Sequence, residues 1–308
     1  MSCAALCLVL LLGFAESFVA QSARPSEHDY ADQVQAELDA GRLTGAVDLA
    51  HRAVADYPQS ALAYQLLGAV LFKNRQTDVA REAFQRSLSL DPKAALTYFD
   101  LALVELSQNR YGEAVGPLES CLRLDPGNAQ AHLLLGRAYH NLNRTIPAIA
   151  EFKQAIRLSP RLPMAHYHLG YAYQSQGDLT SSLDEYRKEI EVNPGFYDAY
   201  WLAGNIELER GHAAAAEPLF RKAIELRLDG SQGHYGLARV LEAQNHLAEA
   251  ETELKTVLRA RPGDAEAHYS LGRVYQRMGR KEDAEQEYQT VAALHVKREA
   301  SPVRESQP

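Results

Sequence analysis

Small residues recur in this chain every 34 positions, and that period limits the fold more tightly than any other feature. Counting Ala61 as position 1, position 8 of successive units reads Val34, Gly68, Ala102, Gly136, Gly170, Gly204, Ala238 and Gly272. Position 20 reads Ala46, Ala80, Ala114, Ala148, Ser182, Ala216, Ala250 and Ala284. Position 32 reads Pro58, Pro92, Pro126, Pro160, Pro194, Leu228, Pro262 and Val296. Eight units fit without insertion: 27–60, 61–94, 95–128, 129–162, 163–196, 197–230, 231–264 and 265–298. A fixed period of this length marks a stacked array in which each unit is one supersecondary element.

The marked positions predict a helix pair per unit. Position 15 reads Gly41, Arg75, Asn109, Asn143, Gly177, Gly211, Asn245 and Gly279. Glycine and asparagine tolerate the left-handed conformation that ends a helix. A first helix therefore stops there, and a second runs from about position 17 to 30, halted by the proline at 32. Arg75 departs from the pattern, and the adjacent Asn74 is expected to serve instead. Bulky apolar residues fill position 7 (Leu67, Leu101, Leu135, Leu169, Leu237, Leu271) and position 24 (Phe84, Leu118, Phe152, Tyr186, Phe220, Leu254, Tyr288). One helix pair cannot bury such a face alone, so neighbours must stack. Unit 27–60, with Gln33 and Val34 at positions 7 and 8, is atypical, as expected of a terminal unit.

Aromatic at 4, Leu at 7, Gly or Ala at 8, Ala at 20, aromatic at 24 and Pro at 32, repeated in series, resembles the tetratricopeptide repeat (TPR) family. The resemblance implies an all-α fold, a right-handed superhelical solenoid of about eight helix-turn-helix repeats. It also implies a concave groove for protein or peptide partners and no intrinsic catalysis. In that family the first helices line the groove, chiefly through positions 2, 5, 9, 12 and 13. From the third unit on, position 5 carries Phe99, Leu133, Tyr167, Trp201, Tyr235 and Tyr269. Position 9 adds Arg137, Tyr171, Asn205, Arg239 and Arg273, and Arg277 stands at position 13. These twelve residues are the candidate partner-binding set: an aromatic stripe with arginines beside it, typical of interface hot spots. The alternative is that position 5 is a packing position. Trp201→Ala is expected to weaken binding with melting nearly unchanged. The lysines and asparagines of the chaperone-tail carboxylate clamp are not matched, because Tyr or Phe stands where the lysine would be.

Histidines invite a metal reading, above all in the stretch HYHLGYAY at 166–173. Position 4, however, reads Tyr30, Tyr64, Tyr98, His132, His166, Tyr200, His234 and His268, so a planar ring wedged between helices accounts for all eight. His166 and His168 are two residues apart and face different ways, and no HExxH motif is present. The phase of the repeat puts Tyr167 and Tyr171 toward the groove and leaves His168 near its boundary. Glu189 stands where a small residue normally packs, and Glu105 and Glu207 occupy position 11; each is expected to reach solvent or pair locally. Asn143-Arg144-Thr145 matches a glycosylation acceptor, but the repeat makes Asn143 a helix cap. No GxxxxGK[ST], GxGxxG or GxSxG motif occurs, so the chain is expected to be non-catalytic and to need no cofactor and no metal.

Hydrophobic residues make up 46% and charged residues 23%, a globular composition, and the net charge of −8 argues against a nucleic-acid partner. Residues 3–15 form an apolar run too short for a membrane span, so 1–22 read as a signal peptide and 23–26 as a linker. The expected location is exported, periplasmic or secreted. The alternatives are a cytoplasmic protein, or one held at a membrane only through an uncleaved N-terminal segment. Removing 1–22 leaves one cysteine, Cys121, and no intramolecular disulfide. Residues 299–308 read as a disordered tail. The functional expectation is a scaffold holding an extended peptide or protein segment. A self-associating envelope subunit is the alternative, and a histidine-dependent metal protein stands behind both.

Overall fold

The computed structural model describes residues 24–300, with side chains to residue 296, so the expected signal segment and tail lie outside the described residues, apart from the end of the last helix. The first two pairs are α1 (Glu27–Asp39) with α2 (Leu43–Asp56), and α3 (Ala61–Lys73) with α4 (Thr77–Leu90). Next come α5 (Ala95–Ser107), α6 (Tyr111–Leu124), α7 (Ala129–Asn141), α8 (Thr145–Leu158), α9 (Ala165–Ser175) and α10 (Leu179–Val192). The last pairs are α11 (Tyr197–Glu209) with α12 (Ala213–Leu226), α13 (Ser231–Ala243) with α14 (Leu247–Ala260), and α15 (Ala265–Arg277) with α16 (Lys281–Ala300). The chain divides into two compact units, Met1–Val104 and Glu105–Pro308. In the first, α1 packs on α2, α2 on α3 and α3 on α4; in the second, every helix from α6 to α16 packs on the next. α7 and α9, α11 and α13, and α13 and α15 also touch directly, which sets these first helices side by side.

The turn chemistry follows position 15 in every pair. All eight residues there have positive φ, from 57° at Asn109 to 80° at Gly177 and Gly211. Arg75 is itself left-handed at φ 61°, while Asn74 is at φ −80°, so the expectation that Asn74 takes over is corrected. The chain geometry demands the left-handed residue at one fixed place, and an exposed arginine bears that strain there. Asn143 is at φ 59°, consistent with its role as a cap.

Within each pair, positions 8 and 24 are matched in volume. A Cβ added at Gly136 would stand 2.6 Å from the Phe152 ring, at Gly272 2.6 Å from Tyr288, and at Gly68 2.7 Å from Phe84. Where position 24 is Leu254, position 8 is Ala238, and where it is only Ala50, position 8 grows to Val34. The sequence carries the same trade at Ala102 and Leu118. Phe84, Phe152, Tyr186 and Phe220 are almost wholly buried, so each contributes on the order of 2–3 kcal/mol of apolar burial.

The ring at position 4 ties the two helices of a pair together where it is histidine, and at His132, Tyr200, His234 and His268 it also fastens the pair to the segment before it. His132, His166, His234 and His268 bond through Nδ1 to Glu151, Glu185, Glu253 and Glu287 at 2.5–2.6 Å. The Nε2 atoms of His132, His234 and His268 face the carbonyls of Pro126, Leu228 and Pro262 at 3.0–3.3 Å. Tyr200 uses its hydroxyl to donate to the equivalent carbonyl of Pro194 at 3.1 Å. Histidine at position 4 occurs only with glutamate at position 23; where position 4 is tyrosine, position 23 is Leu49, Ala83, Pro117 or Leu219. The bond to Glu253 raises the His234 pKa above the usual imidazole value. At His268 burial opposes the charged form, but the bonds to Glu287 and to the Pro262 carbonyl outweigh it and the pKa is again raised.

Glu189 resolves differently from the expected solvent or ion-pair role. The side chains of Ser26, Ser60, Asn128 and Asp264 cap α1, α3, α7 and α15 by accepting a backbone N–H. Leu162 occupies that place before α9, and the helix starts late, after a left-handed Met164. The fully buried Glu189 reaches over from α10 and accepts the N–H groups of Met164 at 2.8 Å and Tyr167 at 3.3 Å. It is an N-cap supplied by another helix. Glu207 does pair locally, accepting from Arg187 and contacting His212 Nδ1 at 2.9 Å. α16 continues through Ala300, two residues into the expected tail.

Candidate functional site

Three first helices, α11, α13 and α15, build an open cleft in the second compact unit. One cavity of about 310 Å³ is lined by Trp201, Asn205, Tyr235 and Arg239 together with Glu209, Gln232, Arg261, Asp264 and Glu266. An adjoining cavity of about 290 Å³ is lined by Tyr235, Arg239, Glu242, Ser270, Arg273 and Arg277. Tyr235 and Arg239 line both, so the two spaces adjoin across α13 and together make up the cleft. Six of the twelve candidate residues meet here: Trp201, Asn205, Tyr235, Arg239, Arg273 and Arg277. Tyr269, on α15 but outside both linings, is 51% exposed.

Position 5 proves to be neither purely groove nor purely core. Leu133 is 4% exposed, so its place in the candidate binding set is corrected to packing. Trp201 is half-buried, packs against the clusters around Leu202, Tyr200 and Phe220, and donates from Nε1 to Asp198 at 3.0 Å. Its replacement by alanine therefore costs core packing as well as cleft surface, which revises the expectation of unchanged melting. Tyr235 is held by a 3.1 Å hydroxyl contact with Ser270. Phe99 is half-buried and belongs to the other compact unit.

A second cluster lies on α7 and α9. Tyr171 is 44% exposed and stacks on Tyr167 with ring centroids 6.4 Å apart. Tyr167 meets Phe196 edge-on at 5.0 Å, and burial raises its hydroxyl pKa. His140 meets Tyr171 edge-on at 5.3 Å. His168, unassigned by the repeat phase, stacks flat on Phe152 at 5.7 Å. Burial, with Arg137 and His140 adding to it, pushes the His168 pKa down to about 3, so the ring stays neutral. His166 and His168 thus have separate partners, and among the described residues no group of three or more His, Cys, Asp or Glu side chains is placed to hold a metal ion.

Glu242 is the most buried of the acidic lining residues that the sequence columns did not single out, the others being Glu209, Asp264 and Glu266. It is 5% exposed and accepts from Arg273 Nη2 at 2.5 Å. Arg277 donates to the Glu242 carbonyl at 2.7 Å and to Asn245 at 2.9 Å, with its guanidinium 3.6 Å from the Glu242 carboxylate. The bond to Glu242 raises the Arg273 pKa further above the usual arginine value. An acid at position 12, one helical turn from an arginine-bearing face, is the signal that could have found it.

Comparison with known proteins agrees with this architecture. The family profile described as "Tetratricopeptide repeat" matches residues 31–95, 167–232 and 235–301, and one described as "TPR repeat" matches 147–177. No curated protein matches. Among solved structures, MamA protein is 27% identical with a TM-score of 0.52, over 56% of this chain and 94% of that one. YrrB, presented as "a TPR protein with an unusual peptide-binding site", is 22% identical with a TM-score of 0.53, over 64% of this chain and 97% of that one. A tetratricopeptide repeat protein from Parabacteroides merdae is 16% identical with a TM-score of 0.57, over 80% of this chain and 98% of that one. The last two share the fold alone. With the family profile covering well over half of the chain on an all-helical array of paired helices, the protein belongs to the tetratricopeptide repeat family.

Proposed function

We propose that this chain is a non-catalytic interaction scaffold that holds an extended peptide or protein segment across α11, α13 and α15. The observation that carries the reading is the pair of adjoining cavities around Trp201, Tyr235 and Arg239, in which half-buried rings stand beside polar groups left open to a ligand. Rings anchored on rigid helices lose little freedom on binding, and each ring covered by a ligand contributes on the order of 1.5–3 kcal/mol before ordering costs. The family commonly serves protein recognition, and a peptide-binding site is stated for one solved structural neighbour. Trp201 is the only tryptophan of the chain and lines the cleft, so it is a built-in reporter. Peptides selected from a random library should shift its emission saturably, and Asn205→Ala should weaken the effect. Selected peptides that bind without disturbing Trp201 fluorescence would move the site elsewhere.

The exported location expected from residues 1–22 remains part of the proposal and rests on the apolar run alone. Fractionation of cells producing the tagged full-length chain, with N-terminal sequencing of the product, tests it. Recovery from the cytoplasm with residues 1–22 retained contradicts it. No helix among the described residues is long and apolar enough to cross a membrane.

A further inference from the structure

The three arginines of the second cavity are not equivalent. Arg273 and Arg277 share Glu242, and Arg277 is further held by the Glu242 carbonyl and Asn245. Arg239 lines both cavities, yet among the described residues its guanidinium makes no ion pair and no hydrogen bond. In this second cavity three guanidiniums face the one carboxylate of Glu242, while in the first cavity Arg239 stands with Glu209, Glu266 and the Arg261–Asp264 pair, neither exposed acid bonding to it. A ligand that covered Arg239 without pairing it would pay for stripping water from a cation, whereas a ligand carboxylate would meet an open planar fork and form a charge-assisted bidentate contact.

Asn205 holds the same repeat position one unit earlier and likewise makes no side-chain hydrogen bond among the described residues. An asparagine amide can both donate to and accept from a peptide backbone. Helices packed side by side stand about 8–10 Å apart, and an extended peptide advances about 3.3 Å per residue, so successive first helices are met about every three residues. We propose that the cleft selects peptides carrying an acidic side chain about three residues from an apolar or aromatic one, the carboxylate seated on Arg239 and the apolar residue on α11 beside Trp201. A carboxylate suits the site better than a phosphate because Glu242 already sits among the arginines and would oppose a second negative charge on the ligand. This inference rests on the cleft reading above and adds the class of ligand.

The test is a random peptide library panned against the full-length protein, followed by fluorescence anisotropy with labelled decapeptides. Selected peptides should be enriched in Asp or Glu about three residues from an aromatic or aliphatic residue. Changing that acid to its amide should weaken binding roughly tenfold or more, as loss of a charge-assisted contact requires. Arg239→Ala should abolish the difference between acid and amide, and Arg239→Lys should restore part of it. Arg239 supports no other side chain by ion pair or hydrogen bond, so these variants should keep wild-type circular dichroism. If one fails to fold, the acid-to-amide comparison on the wild-type protein still decides. Peptides that lose affinity with Asn205→Ala but are indifferent to the acid and to Arg239 overturn this inference and leave the cleft reading standing. Peptides that bind only when phosphorylated overturn it too. Peptides that sense neither Asn205 nor Trp201 remove the cleft reading and this inference together.

Discussion

Replacing Glu189 by alanine should destabilise the array more than any other removal of an acidic side chain. Glu189 is fully buried, accepts the N–H groups of Met164 and Tyr167, and stands in for the cap that Leu162 cannot provide. Loss of an N-cap costs about 1 kcal/mol, and each buried N–H left unpaired adds about 1–3 kcal/mol. Met164 is 37% exposed, so water can reach its N–H, and the main penalty falls on Tyr167. The sum is about 3 kcal/mol. Glu189→Gln keeps one acceptor oxygen and should cost about half of that. Urea unfolding followed by far-UV circular dichroism measures the global loss, and native-state hydrogen exchange measures it at the site. Exchange at the Tyr167 amide should accelerate about 100-fold in Glu189→Ala, the factor that corresponds to the local loss. Glu191→Ala, at an exposed position on the same helix, should stay within about 0.5 kcal/mol of wild type. Equal effects of the two alanine variants would refute the cap.

Other outcomes follow from the same packing and charge arguments. Gly136→Ala would put a Cβ 2.6 Å from the Phe152 ring and should cost about 1–3 kcal/mol; adding Phe152→Leu, the combination found at Ala238 and Leu254, should recover most of it. An additive double variant would contradict the volume match. His234 and His268 have raised pKa values in the folded state, so their contribution is complete below the unfolded value of about 6.5 and is lost as pH rises through the folded value. The pair His234→Tyr with Glu253→Leu, copying Tyr200 and Leu219, should flatten the fall of melting temperature above neutral pH; parallel pH curves for the two proteins contradict the linkage. Burial raises Asp100 to about 6 despite its contact with Gln65, so the folded state favours the protonated acid. Asp100→Asn should therefore stabilise at pH values above about 6 and lose that advantage near pH 4, and an equal gain at both refutes the assignment.

Helix ends were readable in the sequence because each depends on a residue with one backbone preference: the glycine or asparagine at position 15 and the proline at position 32. Arg75 shows the limit, since the array geometry imposed the left-handed turn on a residue with no preference for it. The matches of Gly136 with Phe152 and of His234 with Glu253 were present as separate columns, and only contact showed that the columns vary together. Glu189 was opaque because its partners are backbone amides, although Leu162 in a capping place is a visible gap. The binding set was half-readable. First-helix positions 5 and 9 converge on one cleft at Trp201, Asn205, Tyr235 and Arg239, yet the same position 5 buries Leu133. A ring on that face touches both the cleft and the neighbouring helix, and periodicity alone does not apportion the two.

In the proposed function α11, α13 and α15 present the binding face. Hydrogen exchange of the full-length protein, with and without a saturating library-selected peptide, tests it most directly. Exchange should slow only in the first helices around Asn205, Arg239 and Arg273, with α12 and α14 unchanged. Protection centred on α12 and α14, or on α1 to α4, would contradict it.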